Sequence, residues 1–331
     1  MCNRFETIEN RTSMMSKLPV LLVGYLRLSE IQKSIERLVR FGVQDIYLAI
    51  DGAKTQVDLD KQRVLLEVLQ EKYKSTEVNL RFWHRSENLG VAASIITAID
   101  WFFSQNSSGI ILEDDILFDE KFIQFCERAW DIYGADESTW MVSGSNFKPP
   151  GNNLSVDFIN YPMIWGWCSS AKKWKRMREA YFTKPKFRLI DWVTPNLAYF
   201  LNGRIKANLR IIDTWDIQIA YEMLRARAYS VLPPVNLICN KGFDDKAIHT
   251  TEAKFPLDLP INDLDLSKTI YPLSPYTGVD NLNHYYEREI FRIGYRHLWS
   301  LLKLRIWILL FSKHKRDSLE AKLAGIELPN D

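Results

Sequence analysis

Apolar and polar positions alternate in blocks along the first 115 residues. "LPVLLVGYL" (Leu18–Leu26) is a continuous apolar run, as expected of a strand buried on both faces. In "SEIQKSIERLVRFG" the residues Ile31, Ile35, Leu38 and Val39 share one helical face. Ser29 and Gln32 have capping-box spacing there, and Gly42 can end the helix. "DIYLAIDG" predicts a second strand, "KQRVLLEVLQEKY" a helix, and "EVNLRFW" a third strand with Val78, Leu80 and Phe82 on one side. "VAASIITAIDWFF" predicts another helix and "GIILEDD" a fourth strand. This β-α-β-α-β-α-β order predicts an α/β fold: a Rossmann-like, mostly parallel sheet with helices on both faces.

Ligands of such sheets collect beyond the carboxyl ends of the strands. Asp51 and the triplet Glu113, Asp114 and Asp115 all fall at such ends, so one crevice is expected to hold both. Adjacent carboxylates repel unless they are protonated, solvated or bound to a metal. Hard oxygen ligands favour Mg²⁺ or Mn²⁺, which share their shell with substrate phosphates. Two readings stand: a divalent ion holding a diphosphate, or a solvated acidic turn. The apolar strand running straight into the triplet favours the metal.

Composition narrows the field. The 331 residues are 47% hydrophobic and 25% charged, which is ordinary for a globular chain, and the net charge of +2 gives no reason to expect nucleic acid as a partner. Cys2, Cys126, Cys168 and Cys239 show neither a disulfide framework nor zinc spacing. Residues 1–16 read as a flexible polar tail with no signal or anchor run. "HLWSLLKLRIWILLF" (His297–Phe311) is interrupted by Lys303 and Arg305, too short and too charged to span a bilayer. With Lys313, Lys315 and Arg316 it predicts either a basic amphipathic helix over 297–316 on a membrane surface or a helix packed on the protein. Past "WMVSGSN" the regularity weakens, which sets a boundary near residue 150.

"IILEDDI" resembles the metal-binding D-x-D element of nucleotide-sugar glycosyltransferases of the GT-A fold. It is similar to the family 2 glycosyltransferases and, in its E-D-D form, to the N-acetylglucosaminyltransferase I group. The resemblance implies that Asp115 contacts the metal, with Asp114 beside it at the nucleotide sugar. "PVLLVGYLR" resembles the first nucleotide-contacting strand, with Arg27 at its end, and "AIDG" places Asp51 at the uracil or ribose. "HRSENLGVAAS" resembles the N-x-G segment and nominates His84, Arg85 and Asn88 for the nucleotide and its phosphates. Read on its own, His84 also suits a hydrogen-bonded structural histidine, and Arg85 a surface arginine.

"YPMIWGWCSSAKKW" resembles the segment shaping the sugar pocket, through Trp165, Gly166 and Trp167, although either tryptophan equally suits a core. "DTWDIQIAYEML" aligns Asp216 with the general base of the N-acetylglucosaminyltransferase I group, against the plainer reading of a first-turn acid on a helix dipole. Asp213 reads as the N-cap of that helix. "NLICNKGFDDKAIHT" ends in His249, a second candidate metal ligand or a solvated loop histidine. The resemblance implies a nucleotide-sugar-binding half over 17–150, an acceptor and catalytic half over 151–260, and an extension over 261–331 carrying the basic helix.

The function so implied is an inverting glycosyltransferase dependent on Mn²⁺ or Mg²⁺. Its donor is a nucleotide sugar, UDP-linked by expectation, and its acceptor a saccharide or lipid-linked saccharide in surface polysaccharide or lipopolysaccharide synthesis. A cytoplasmic enzyme, peripheral on the inner face of the plasma membrane, is the expected setting. Two rivals remain. A sugar-phosphate nucleotidyltransferase would normally begin with a glycine-rich phosphate loop, whereas "VGYLRLSE" has one glycine. A non-catalytic carbohydrate-binding protein on a transferase fold would bind without turnover.

Overall fold

A computed structural model of the chain describes residues 16–182, 188–242, 259–273, 279–311 and 326. The first half alternates as its pattern predicts: β1 (Val20–Gly24), α1 (Leu28–Arg40), β2 (Asp45–Ile50), α2 (Gln56–Tyr73), β3 (Asn79–His84), α3 (Val91–Gln105) and β4 (Ser108–Glu113). Then follow β5 (Ile116–Phe118), α4 (Glu120–Tyr133), β6 (Thr139–Ser143), β7 (Asp157–Ile159), β8 (Trp167–Ser170), α5 (Ala171–Phe182) and α6 (Leu189–Val193). The last elements are α7 (Pro195–Asn208), α8 (Ile217–Ala226), β9 (Tyr229–Leu232), β10 (Ile238–Asn240), α9 (Val279–Tyr285), a π-helical turn (Tyr286–Ile290) and α10 (Arg296–Phe311).

Eight of these strands form one sheet in the order β3-β2-β1-β4-β8-β6-β9-β7. β3, β2, β1 and β4 run parallel, β8 runs antiparallel to both β4 and β6, and β9 lies parallel to β6. β7 is antiparallel to β9. The sheet is therefore mostly parallel, and it continues across the boundary near residue 150, because β8 fills the gap between β4 and β6.

The two-sided burial predicted for β1 is seen in its alternation. Val20 and Leu22 pack with α1, α2 and α4, whereas Leu21 and Val23 pack with α3, α5 and α8. Helices thus cover both faces. A third apolar cluster holds α7, α8, the π-helical turn and α10 together, with Leu301 and Leu304 of α10 buried in it. The opposite face of α10 is open: Trp299 and Ile306 are 68% and 48% exposed, and Tyr295, just ahead of the helix, is 77% exposed. The extension is tied to the sheet domain through Ser155 and Ile270, which form a parallel bridge, and through Tyr133, whose hydroxyl donates to the Pro272 carbonyl at 2.8 Å.

Two local expectations change. The Ser29–Gln32 capping box does not form, because α1 starts earlier: the carbonyl of Arg27 takes the amides of Glu30 and Ile31. Asp213 does not cap the helix that follows it, since that helix starts at Ile217 with Asp216 in the N-cap position. The Asp213 carboxylate instead accepts from the amides of Val91 and Ala92, at 3.1 and 3.2 Å, and so caps α3 from 121 residues along the chain. The described cysteines, Cys126, Cys168 and Cys239, are all buried. Among the described residues no helix is long and apolar enough to cross a membrane.

Candidate functional site

Strand register brings the predicted residues together. Gly24 lies beside Ile50 and Val23 beside Glu113, so Tyr25, Asp51 and Asp114 leave three adjacent strands side by side. The chain order reverses there, since β1 leads to β2 on one side and β3 crosses to β4 on the other. Such a point opens a crevice at the carboxyl ends of the strands. Arg27, Asp114, Asp115 and Lys241 line a cavity of about 570 Å³ at this place, together with the first turn of α1.

The acids at the end of β4 diverge with the pleat. Glu113 follows Ile111 and Leu112, which face the α3 and α1 sides respectively, so alternation sends Glu113 toward α3 and α8. Asp216 acts on it electrostatically from that side. Asp114 accepts from the Tyr25 amide at 2.9 Å and from the Arg27 guanidinium at 3.3 Å. Asp115 accepts from the same guanidinium at 2.8 Å. Arg27 is therefore a cation that the structure itself sets against Asp114 and Asp115.

Two of these carboxyls nonetheless lie above their ordinary values. Burial first, and then the charge of Asp115, push the Asp114 carboxyl from 3.8 to about 6. Burial and the charges of Asp115, Asp114 and Asp216 push Glu113 well above the usual carboxylate range. Acids that raise one another in this way suit a divalent ion. Mg²⁺ and Mn²⁺ need few protein ligands when waters and substrate phosphates complete the shell, so Asp115 and Asp114 fit one. Among the described residues no group of three or more His, Cys, Asp and Glu side chains forms a ready-made metal cluster.

β5 and β10 form a two-stranded ladder beside Asp115, whose carbonyl accepts from the Lys241 amide at 2.8 Å. Gly242 comes so close that a Cβ there would collide with the Asp115 carboxylate. His249, the second metal candidate, lies outside the described residues.

Asp51 is buried and accepts from Asn88 Nδ2 at 3.1 Å and from the amides of Leu89 and Gly90 at 2.9 and 3.2 Å. Burial still raises its carboxyl above the ordinary value. Asn88 also donates to the Gly52 carbonyl, so the N-x-G segment is folded onto Asp51. Arg85 is a correction. It is 5% exposed, stacks on Trp83 at 4.1 Å, and spends both terminal nitrogens on Ser94 and Thr97 of α3. That guanidinium is turned into the sheet–helix interface and is taken out of the phosphate-binding set. His84 keeps the hydrogen bond expected of a structural histidine, to Gln62 Oε1 at 2.9 Å.

Trp167 is the second correction. It is fully buried and stacks on Trp215 with 6.1 Å between ring centroids, so it meets no sugar. Its role is support: Trp215 precedes Asp216, and its carbonyl also accepts from the Tyr181 hydroxyl. Trp165 is half-buried against Phe147. Gly166 has φ of +69°, and its carbonyl accepts from the Gly144 amide at 2.9 Å, which pins this segment to the end of β6. The Asp216 carboxylate makes no capping bond and accepts from the Thr214 hydroxyl.

Sequence reasoning passed over Tyr25, Lys241 and Gln62. Tyr25 and Lys241 act through backbone amides, which side-chain chemistry does not advertise. Gln62 sits inside a helical pattern that explains its neighbours without it.

No protein-family model and no curated protein matches the chain. Among solved structures it is similar to HddC from Yersinia pseudotuberculosis, at 15% identity over 52% of this chain and 84% of that one, with a TM-score of 0.31. For HddC complexed with GMP-PN the values are 13%, 46%, 77% and 0.28. A protein from Bacillus anthracis assigned as a glucose-1-phosphate thymidylyltransferase, in complex with a sucrose, gives 12%, 68%, 90% and 0.36. At these scores the likeness assigns neither family nor activity. The one activity named among them is nucleotidyl transfer, the alternative above, rather than glycosyl transfer.

Proposed function

We propose that the chain is a metal-dependent transferase acting on a nucleotide sugar, and that the reaction is inverting glycosyl transfer. One observation carries this reading: β1 and β4 end in register, and Arg27, Asp114 and Asp115 line one crevice there, with Asp51 buried at the adjoining end of β2. Asp115 and Asp114 would hold Mn²⁺ or Mg²⁺, which when bound would stabilise charge on a leaving diphosphate. Arg27 offers the phosphates a guanidinium fork, and Asp51 with His84 and Asn88 frames the nucleoside end. Trp165 borders the donor sugar, and Asp216 takes the proton of the acceptor hydroxyl.

Nucleotidyl transfer is the second reading, and the name of the Bacillus anthracis structure stands on its side. Against it, the turn between β1 and α1 is Tyr25-Leu26-Arg27, without the glycines that bring backbone amides to a triphosphate. Products separate the two. Incubation with Mn²⁺, UDP-sugars and a panel of saccharide acceptors is expected to release UDP. Release of pyrophosphate from a nucleoside triphosphate and a sugar phosphate would replace the first reading with the second. Binding of UDP-sugars with no turnover would leave a carbohydrate-binding protein.

The acceptor is proposed to be lipid-linked, with the enzyme held peripherally at an anionic membrane through α10. Tyr295, Trp299, Leu302 and Ile306 recur at helical spacing and are exposed, while Leu301 and Leu304 are buried on the other side. Arg296, Lys303 and Arg305 flank that stripe, and no acid occurs from 296 to 311. Co-sedimentation with anionic vesicles is expected, weakening with salt. The pair Trp299→Ser and Leu302→Ser is expected to lower it by about tenfold or more. Equal partition of variant and wild type would remove the membrane from the proposal.

A further inference from the structure

Gln62, on the inward face of α2, is fully buried and joins three strand ends. Its Nε2 lies 3.0 Å from the Tyr25 carbonyl and 3.0 Å from the Asp51 carbonyl. Its Oε1 lies 2.9 Å from His84 Nε2. Tyr25 in turn gives its amide to Asp114, so this one side chain connects the diphosphate end of the crevice to the nucleoside end.

Donor and acceptor counting fixes every proton in this group. A backbone carbonyl only accepts, so the two carbonyls require the amide nitrogen of Gln62, which has two hydrogens to give. The remaining Gln62 atom, Oε1, only accepts. His84 Nε2 must therefore donate, and a neutral imidazole with its proton on Nε2 has an unprotonated Nδ1. The opposite tautomer would set two lone pairs against each other in a buried place, which proteins avoid. His84 is half-buried, and no protein partner is found for its Nδ1 among the described residues.

We propose that Gln62 is the positioning residue of the nucleotide site: it fixes His84 as the Nε2–H imidazole and so presents Nδ1 as a hydrogen-bond acceptor. A ligand suits that acceptor only if it brings a donor. The imide N–H of a uracil-type base does so, whereas cytosine offers an acceptor at the same ring position. Gln62 thereby becomes a determinant of base selectivity without touching the base. The inference rests on the nucleotide-sugar reading for its ligand, but not for the proton on Nε2.

Burial and the field of Arg63 on α2 both lower the His84 pKa, which keeps the ring neutral near pH 7. The other charged groups at this strand end are Asp51, on β2's side, and Arg85, next in the chain. Arg85 is held within 4.1 Å of Trp83 and bonded to α3.

The test is two-bond ¹⁵N–¹H correlation of the imidazole rings in the full chain, with the His84→Gln variant assigning the His84 signals among the five histidines. Wild type is expected to show the Nε2–H pattern. Gln62→Met removes the acceptor at similar volume, and a mixture of tautomers is expected. Gln62→Glu keeps an acceptor opposite Nε2, and its protonated carboxyl can donate to a carbonyl, so it should retain the Nε2–H pattern. An Nδ1–H pattern in wild type, or a pure Nε2–H pattern in folded Gln62→Met, overturns the proposal. If Gln62→Met does not fold, the Gln62→Glu protein decides, because an Nδ1–H or mixed pattern there would show that an acceptor at residue 62 does not set the tautomer.

Titrations of UDP and CDP with Mn²⁺ give the second arm. Wild type is expected to prefer UDP by about tenfold, and Gln62→Met to lose most of that preference. A preference that survives a scrambled tautomer overturns the selectivity role. Failure of both nucleotides to bind, with the Nε2–H pattern intact, would sink the nucleotide reading and leave the hold of Gln62 on His84 supported.

Discussion

Asp115→Ala is expected to bind UDP no more tightly with Mn²⁺ than with EDTA, whereas wild type gains at least about 100-fold from the metal. The scale follows from metal sites in which even the outer partners of ligands are worth 10–100-fold. The comparison has to be made within each protein. Asp115 is also a partner of Arg27, so its removal leaves that guanidinium with Asp114 alone and freer to attract a diphosphate. Metal-independent binding can therefore rise in the variant while the metal-dependent gain vanishes. Calorimetric titration in the two buffers reads both quantities, and a gain retained by Asp115→Ala would return the triplet to a strand end paired with Arg27.

The same site predicts a pH dependence. Asp114 titrates near 6 in the folded chain and at its ordinary 3.8 when unfolded. A raised carboxyl favours the folded state while it is protonated, so this contribution falls away as pH climbs from about 4 to 6. Protons compete with the metal over the same range. The rise in melting temperature on adding Mn²⁺ is expected to be larger at pH 7 than at pH 5, and a rise independent of pH would count against Asp114 as a neighbour of the ion.

Asp216→Asn is expected to lower kcat by about 10²–10⁴, the usual worth of a positioned general base, with UDP affinity changed less than about twofold. Its place in the fold separates this from a merely structural role. At the N-cap of α8 the side chain makes no capping bond, so its removal costs the helix no orphaned amide. A helix-dipole role would be worth about 0.3–1 kcal/mol of stability and nothing in turnover. The loop is held by Trp215, stacked on Trp167, and by Asp213 on α3, neither of which the substitution touches. Full transfer by a folded Asp216→Asn protein would remove the base assignment.

Much of the first half is legible in the sequence because its strands are buried on both faces. Leu18–Leu26 and Ile110–Leu112 read as apolar runs, and parallel order then brings Asp51 and the triplet to one edge. β7 and β8 are three and four residues long, too short for a period to show. Asp213 illustrates a different limit. An acid four residues before a helix looks like its cap, and only the folded chain shows that the amides it satisfies belong to α3. Arg85 fails for a related reason, since a guanidinium beside a strand end can face phosphate or helix, and the hydroxyls of Ser94 and Thr97 are one turn apart on a helix that a sequence does not place. Trp167 rather than Trp165 enters the core because Trp167 begins β8 while Gly166, at φ +69°, turns the chain between them, which no run of hydrophobicity announces.

The insertion of β8 between β4 and β6 also governs how this chain can be made. A ribosome releases β4 and β6 with no partner for their facing edges until Trp167–Ser170 emerges, and β6 waits longer still for Tyr229–Leu232. During that interval the nascent chain carries open strand edges, the kind of surface that pairs with other chains. Closure across such distances slows folding. The crevice therefore matures late: the edge that carries Asp114 and Asp115 gains its second neighbour only after the polypeptide passes its midpoint, and the loop bearing Asp216 docks later still.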